Sequence, residues 1–210
     1  MAEKSSFFNS VNGDRQYDME QFALYFKQFL STGLYHQNNQ PSLEITHVAD
    51  LQTKLEIGSA YLEGFMYENT AELLFTHDDA DVTNPRIDRI VLKLDRDVNV
   101  RDIKAVLKKG IPATSPEPPS LQRDDIIYEI SLAQVRINTG ETTIHSIIDE
   151  RFDEDVCGLV SSLITVPIEE FQRQWNEWFN GIQNDIGVRI LIGDNEPQEV
   201  ITGDIWLKNI

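Results

Sequence analysis

The 210-residue chain carries 18 Lys and Arg against 35 Asp and Glu, a net charge of −17. That sign repels phosphate backbones and anionic lipid, so neither nucleic acid nor a membrane surface is expected as a partner. With 40% hydrophobic and 25% charged residues, the composition is globular and long enough to bury a full core without disulfides.

Cys157 is the single cysteine, so no intrachain disulfide forms. The opening MAEKSSFF lacks the extended apolar stretch of a secretory signal, and no apolar run approaches membrane-span length. Folding in a cytoplasm is the expectation.

Near the start, SSFFNSVNGDRQYD places Phe7 and Phe8 ahead of any periodic pattern. Asp18 then reads as an N-cap with Gln21 three residues on, the spacing of a capping box. Phe22, Tyr25, Phe26, Phe29 and Leu30 follow at intervals of three and four, which predicts an amphipathic helix over 18–32 closed by Gly33.

Between 43 and 76 the pattern shifts to short runs of period two, LEITHV, TKLEI, AYLEGFMYE and ELLFT, punctuated by Gly58, Gly64 and Asn69. These predict antiparallel strands. HDDADVTNP, 77–85, reads as a polar loop. RIDRIVLKLD then sets Ile90, Leu92 and Leu94 on one face; VRDIKAVLKKG, 100–110, could form a helix, but Ile103, Ala105 and Leu107 alternate with Asp102, Lys104 and Val106, which predicts its hairpin partner. The proline-rich 111–121 cannot enter a ladder interior and reads as a surface crossing. In DIIYEISLAQVRI, 125–137, the apolar face switches near Leu132 and Ala133, which predicts a bulge or burial on both faces.

A second helix follows Pro167, a residue tolerated in a first helical turn. Its Ile168, Phe171, Trp175, Trp178 and Ile182 alternate spacings of three and four, as in a coiled-coil seam, and Phe179 and Ile186 widen the stripe. Gly187 ends it. A strand, a turn around Asn195 to Pro197 and a short strand with Trp206 complete the chain. The expected fold is α+β, mainly β: residues 1–34 as N-terminal segment and helix, 35–160 as an antiparallel β-sandwich, 161–187 as helix and 188–210 as a small β unit.

Catalytic patterns are sparse. His36, His47, His77 and His145 lack metal-ligand spacing, and the acidic loop from His77 through Asp78, Asp79, Asp81 and Asn84 lacks the glycine and distal glutamate of an EF-hand. Asp149, Glu150, Asp153, Glu154 and Asp155 form an acidic run from which Asp149 or Asp153 could serve glycoside hydrolysis, but one run does not establish two opposed carboxylates. No serine elbow occurs, and Cys157 sits in an apolar stretch. The expectation is a non-enzymatic protein with no metal and no cofactor, whose candidate interface residues are Phe7, Phe8, Phe22, Phe26, Phe29, Phe171, Trp175, Trp178 and Ile182. Each stripe either packs on the chain's own sandwich or meets its copies about a symmetry axis. Tryptophans fit more easily around a three-fold axis than in a two-stranded seam, so a homotrimer is favoured among oligomers.

The segment order SSFFNSVNGDRQYDMEQFALYFKQFLSTGL, KLEIGSAYLEGFMYEN, NPRIDRIVLKLD, PPSLQRD, YEISLAQVRI, IDERFDEDVCGLV and FQRQWNEWF resembles a family of tail and baseplate proteins of tailed phages and prophages of Gram-positive bacteria, of the N-terminal tail-fibre or receptor-binding-protein anchor type. The resemblance runs to about residue 186. It implies a virion structural protein of the distal tail that anchors or connects the host-adsorption apparatus, partnered by other baseplate and tail proteins and by a separate receptor-binding protein. The chain stops at Ile210 without a large carbohydrate-binding head, which favours a connector. The alternative is a saccharide-binding adsorption module that touches the cell wall through residues such as Tyr61, Tyr67 or Trp206.

Overall fold

The computed structural model describes residues 5–38, 40–164, 168–186, 190–193, 195 and 205–208. The chain divides into two compact units, Met1–Ile164 and Thr165–Ile210. It is α+β and mainly β, with antiparallel sheets throughout the first unit.

Helix α1, Met19–Phe26, begins as its capping box dictates. The Gln21 N–H donates to Asp18 Oδ1 at 2.9 Å, and the Asp18 N–H donates to Gln21 Oε1 at 3.2 Å. It covers 8 residues rather than the expected 18–32. The helical pattern is cut short by pairing with distant chain: Leu30 bridges Ser162, the Ser31 N–H donates to the Ser161 carbonyl, and the Leu163 N–H donates to the Phe29 carbonyl. Gly33, expected to end the helix, lies in strand β1, Gly33–Leu34. A Cβ there would sit 2.6 Å from the Leu159 carbonyl carbon, so the glycine serves a close backbone crossing.

Strands β2, His36–Gln37, and β3, Gln40–Pro41, form a small antiparallel ribbon. Next come β4, Ile45–Ala49, β5, Gln52–Leu55, β6, Gly58–Leu62, β7, Phe65–Asn69, and β8, Leu73–Thr76. The larger sheet is built from β9, Arg86–Asp95, β10, Asp102–Lys108, β11, Ile127–Ile137, and β12, Ser146–Asp149, in the order β10-β9-β11-β12. Two three-stranded sheets, β1-β6-β7 and β4-β5-β8, share one core with it. Leu34, Leu55, Leu62, Leu92, Leu132 and Val135 are fully enclosed there.

In β11 the pairing with β9 shifts between Ser131 and Ala133. Ile130 before the shift and Leu132 at it lie in the core, as do Ala133, Val135 and Ile137 after it, so the extra residue reverses which alternation faces inward. Both faces of β9 and β11 are largely buried. The second face lies beneath 111–125 and 150–157, which reach it through both side chains and isolated main-chain bonds: the Arg89 guanidinium donates to the Pro119 carbonyl at 2.8 Å, Glu129 Oε2 accepts from the Gln122 N–H at 2.8 Å, and the Ser131 N–H donates to the Val156 carbonyl at 2.9 Å.

The second unit contains α2, Ile168–Ile186, and strands β13, Ile190–Gly193, and β14, Ile205–Lys208. The two strands pair in parallel, Ile190 opposite Ile205. Pro167 and Gly187 lie outside the described residues, as does most of the expected turn beyond Asn195.

Helix α1 rests on the β6–β7 turn. Leu62 and Phe65 pair across Glu63 and Gly64, both at positive φ (51° and 97°), the signature of a two-residue hairpin turn. A Cβ on Gly64 would fall 2.2 Å from the Ala23 carbonyl oxygen. Gly64→Ala is therefore expected to destabilise the protein by more than about 1 kcal/mol and to strip hydrogen-exchange protection from the amides of α1 while β9 and β11 stay protected. Unchanged protection in α1 would contradict this seating.

Candidate association surfaces and the buried polar network

Phe7 is the hub of an aromatic cluster at the N-terminal end. Its ring centroid lies 5.5 Å from Tyr17, 5.1 Å from Phe22 and 5.0 Å from Tyr25, and Tyr25 reaches Phe29 at 4.9 Å. Phe7 takes φ of 67°, unusual for a bulky side chain, and these ring contacts accompany that strained backbone. Phe8 lies under the Arg15 guanidinium at 5.0 Å, while the Tyr17 hydroxyl accepts from the Phe8 N–H at 2.9 Å. The segment is therefore ordered by its own side chains, yet Phe7, Phe8, Phe22, Tyr25 and Phe26 all remain exposed, and Phe29 is half-buried. Of the helix only Ala23 is buried.

Along α2, every described side chain from Glu170 to Gly181 is exposed. Trp175 and Trp178 are 53% and 56% exposed with ring centroids 5.0 Å apart, and Phe171 and Phe179 accompany them. The side chain of Ile182 lies outside the described residues. Arg173 bridges Glu170 and Glu177 at 2.6 Å each, positions three and four residues away on the polar side. The structure thus leaves both predicted stripes largely uncovered, in separate units. Patches of clustered aromatic surface of this kind mark interaction sites.

The chemistry weighed from the acidic run is not assembled as a pair of opposed carboxylates. Asp149 is bound by Arg151, whose NH2 lies 2.7 Å from Oδ2. Burial pushes the Asp149 carboxyl upward, but the Arg151 side chain and backbone N–H outweigh it and hold it below the usual range, opposite to the shift a general acid needs. Glu150 instead turns inward, with Oε1 3.0 Å from the Arg89 guanidinium and Oε2 accepting from the Ser131 hydroxyl. Burial pushes the Cys157 thiol up to about 12, so it stays protonated. Tyr61, expected as a surface saccharide contact, is buried, because both faces of β6 are covered at its end; Tyr67 is half-buried against the core. Trp206 keeps an exposed ring, with Nε1 donating to the Gly193 carbonyl at 3.3 Å.

The loop 77–85 contains an arrangement that sequence reasoning missed. His77 is 3% exposed, with Nδ1 2.8 Å from Asp88 Oδ2 and Nε2 3.1 Å from Thr53 Oγ1. An ionised carboxylate only accepts, so Nδ1 carries the proton. Asp88 Oδ1 accepts from Arg86 Nε at 3.0 Å and from the Gly110 N–H at 2.8 Å, and Arg86 donates onward to the Asp78 and Asp79 carbonyls. The order hydroxyl, imidazole, carboxylate is that of a nucleophilic relay. Thr53, however, is fully enclosed, so its hydroxyl has no approach for a substrate, and the network acts by fixing the loop. Asp78 pairs with Lys109 at 2.6 Å and Asp81 accepts from the Thr83 and Asn84 N–H groups. Among the described residues no three His, Cys, Asp or Glu side chains gather as a metal site.

No protein family, curated protein or solved structure matches the chain.

Burial raises the Asp88 carboxyl, but hydrogen bonds from His77 and the Gly110 N–H, with Arg86 beside it, outweigh burial and hold it below its ordinary value. A carboxylate depressed in the folded state contributes its stability above the unfolded value of about 3.9 and loses it as pH falls toward the folded value. Asp88→Asn leaves the enclosed Arg86 guanidinium without a counter-charge. It is expected to cost about 3–5 kcal/mol in urea unfolding at neutral pH and to flatten the acid-side loss of stability below about pH 4. A loss under about 1 kcal/mol, or an unaltered acid limb, would contradict this role.

Proposed function

We propose that this protein is a non-enzymatic structural subunit of a phage distal tail or baseplate, which anchors or connects the host-adsorption apparatus by burying aromatic surface against neighbouring proteins. The observation that carries the association reading is the exposure of Trp175, Trp178, Phe171 and the Phe7 cluster on elements that are themselves ordered. Their position in a tail rests on the resemblance of segment order.

The N-terminal segment and α1 form the attachment to the tail, and α2 joins copies of the chain, three about an axis. The spacing of α2 supports the second role over its first two heptads: with Ile168 and Phe171 as the first a and d positions, Glu169, Glu170, Arg173 and Glu177 fall on the outer positions b, c and f and the flanking Gln172 and Gln174 are neutral, while Asp185 falls on the last d position. Over residues 168–182, identical helices of an acidic chain can then approach without opposing like charges. Adsorption partners are other baseplate proteins and a separate receptor-binding protein.

An antibody raised against the purified chain is expected to label the distal end of tails in electron micrographs of particles from the phage or prophage that encodes it. Deleting residues 1–17 is expected to leave β-rich circular dichroism unchanged and to abolish incorporation into particles. Particles that lack the protein altogether would overturn the reading; a deletion that unfolds the chain would show that the segment is core rather than anchor.

A further inference from the structure

The sandwich is open between two unpaired strand edges. Among the described residues, strand β7 pairs only with β6, and β10 only with β9, so each turns one row of main-chain groups away from its sheet. Between the first residues of β7 and β10 runs a groove of about 1050 Å³, lined also by α1. Phe22, Phe65, Met66, Leu94, Val98 and Ile103 line it among charged residues, and the Arg96 guanidinium lies 5.8 Å over the Phe65 ring. Met66 and Val98 are 63% and 72% exposed. Where the groove meets β10, the Ile103 N–H donates to Asp102 Oδ1 at 2.8 Å. That edge donor is satisfied by a local side chain in the place a neighbouring strand would occupy.

The rim has an electrostatic direction. Asp95 is held by Lys93 at 2.8 Å, Arg96 leans on Glu63 at 3.7 Å and Asp102 on Lys104 at 3.1 Å. At the α1 end Asp18 and Glu20 have no cation beside them among the described residues, and at the far end Arg101 has no carboxylate. A second copy of a chain at −17 brings the same overall sign to the rim, which favours a different protein as occupant.

We propose that this groove receives an extended apolar segment of a partner protein, placed as an added strand between β7 and β10, with a Lys or Arg directed at Asp18 and Glu20. Main-chain groups of the two edges supply hydrogen bonds, and the alternate apolar side chains of the segment enter between Phe65 and Ile103. The inference rests on reading the chain as an association subunit and names the chemistry of the partner that meets its α1 side.

The test displays random peptides of about nine residues, some 30 Å when extended, and selects them on the full-length chain. The expected result is enrichment of alternating apolar sequences that carry a basic residue at one end, bound at least about tenfold more weakly by the Met66→Glu protein (tenfold is about 1.4 kcal/mol). Glu20→Lys, which leaves the Asp18 cap in place, is expected to move the selected end charge from basic to acidic while the apolar pattern persists. No enrichment, helical spacing among the selected peptides, binding indifferent to Met66→Glu, or self-association of the chain through this groove would each overturn the proposal. The selection uses no particles, so a chain missing from tails and a groove that selects nothing are separate results.

Discussion

The architecture depends on charges buried along the first half of β9. Arg86 and Asp88 lie on one side of that strand and Arg89 on the other, each at 7% exposure or less, ahead of the apolar run Ile90, Val91, Leu92. Burying such groups is costly unless each finds a partner and its remaining hydrogen bonds are made. Asp88 gathers His77, Arg86 and the Gly110 N–H, while Arg89 gathers Glu150 and the Pro119 carbonyl. The partners belong to segments that make few ladder bonds of their own, including 77–85, 109–121 and 149–157. The buried charges thus do for these segments what hydrogen-bonded pairing does for strands. Apolar replacements of matched shape could supply comparable stability, but would leave the backbone groups of these loops without designated partners.

With the loops fixed, the first unit has a well-defined surface on which aromatic side chains stand outward. Phe7 is held by rings rather than by the core, and α1 buries only Ala23 against the β6–β7 turn. In the second unit α2 carries two tryptophans and two phenylalanines into solvent, although a helix of 19 residues gains most of its stability from packing in ordinary proteins. A net charge of −17 opposes indiscriminate coalescence of such a chain, and the proposed association calls for partners that present matching shape and charge to the apolar faces.

Much of the local structure was legible in the sequence. The Asp18–Gln21 box, the strand RIDRIVLKLD, its hairpin partner and the face switch at Leu132 and Ala133 follow from patterns confined to a few residues; the first two match the structure residue by residue, and the partner strand falls within the expected 100–110. The C-terminal end of α1 was not legible, because Phe29 and Leu30 are drawn into pairing with Ser161 to Leu163, some 130 positions away. Nor were the buried ions. The charged residues of RIDR carry no local sign of burial, and only the arrival of His77 against Asp88 and of Glu150 against Arg89 encloses them. Tyr61 misled in the same way, since burial of the second side of β6 is a tertiary event. The candidate aromatic residues were found because helical spacing needs no long-range information, whereas the groove between β7 and β10 depends on two edges that meet only in the folded sheets.

All three tryptophans, Trp175, Trp178 and Trp206, belong to the second unit. Their fluorescence, followed together with solution mass as protein concentration rises, tests most directly the claim that the aromatic face of α2 is an association surface. The account predicts emission moving to shorter wavelength in step with growth to a three-chain mass, and loss of both changes in Trp175→Ala. A chain that stays monomeric with unshifted emission, or that assembles while its tryptophans remain in water, would contradict it.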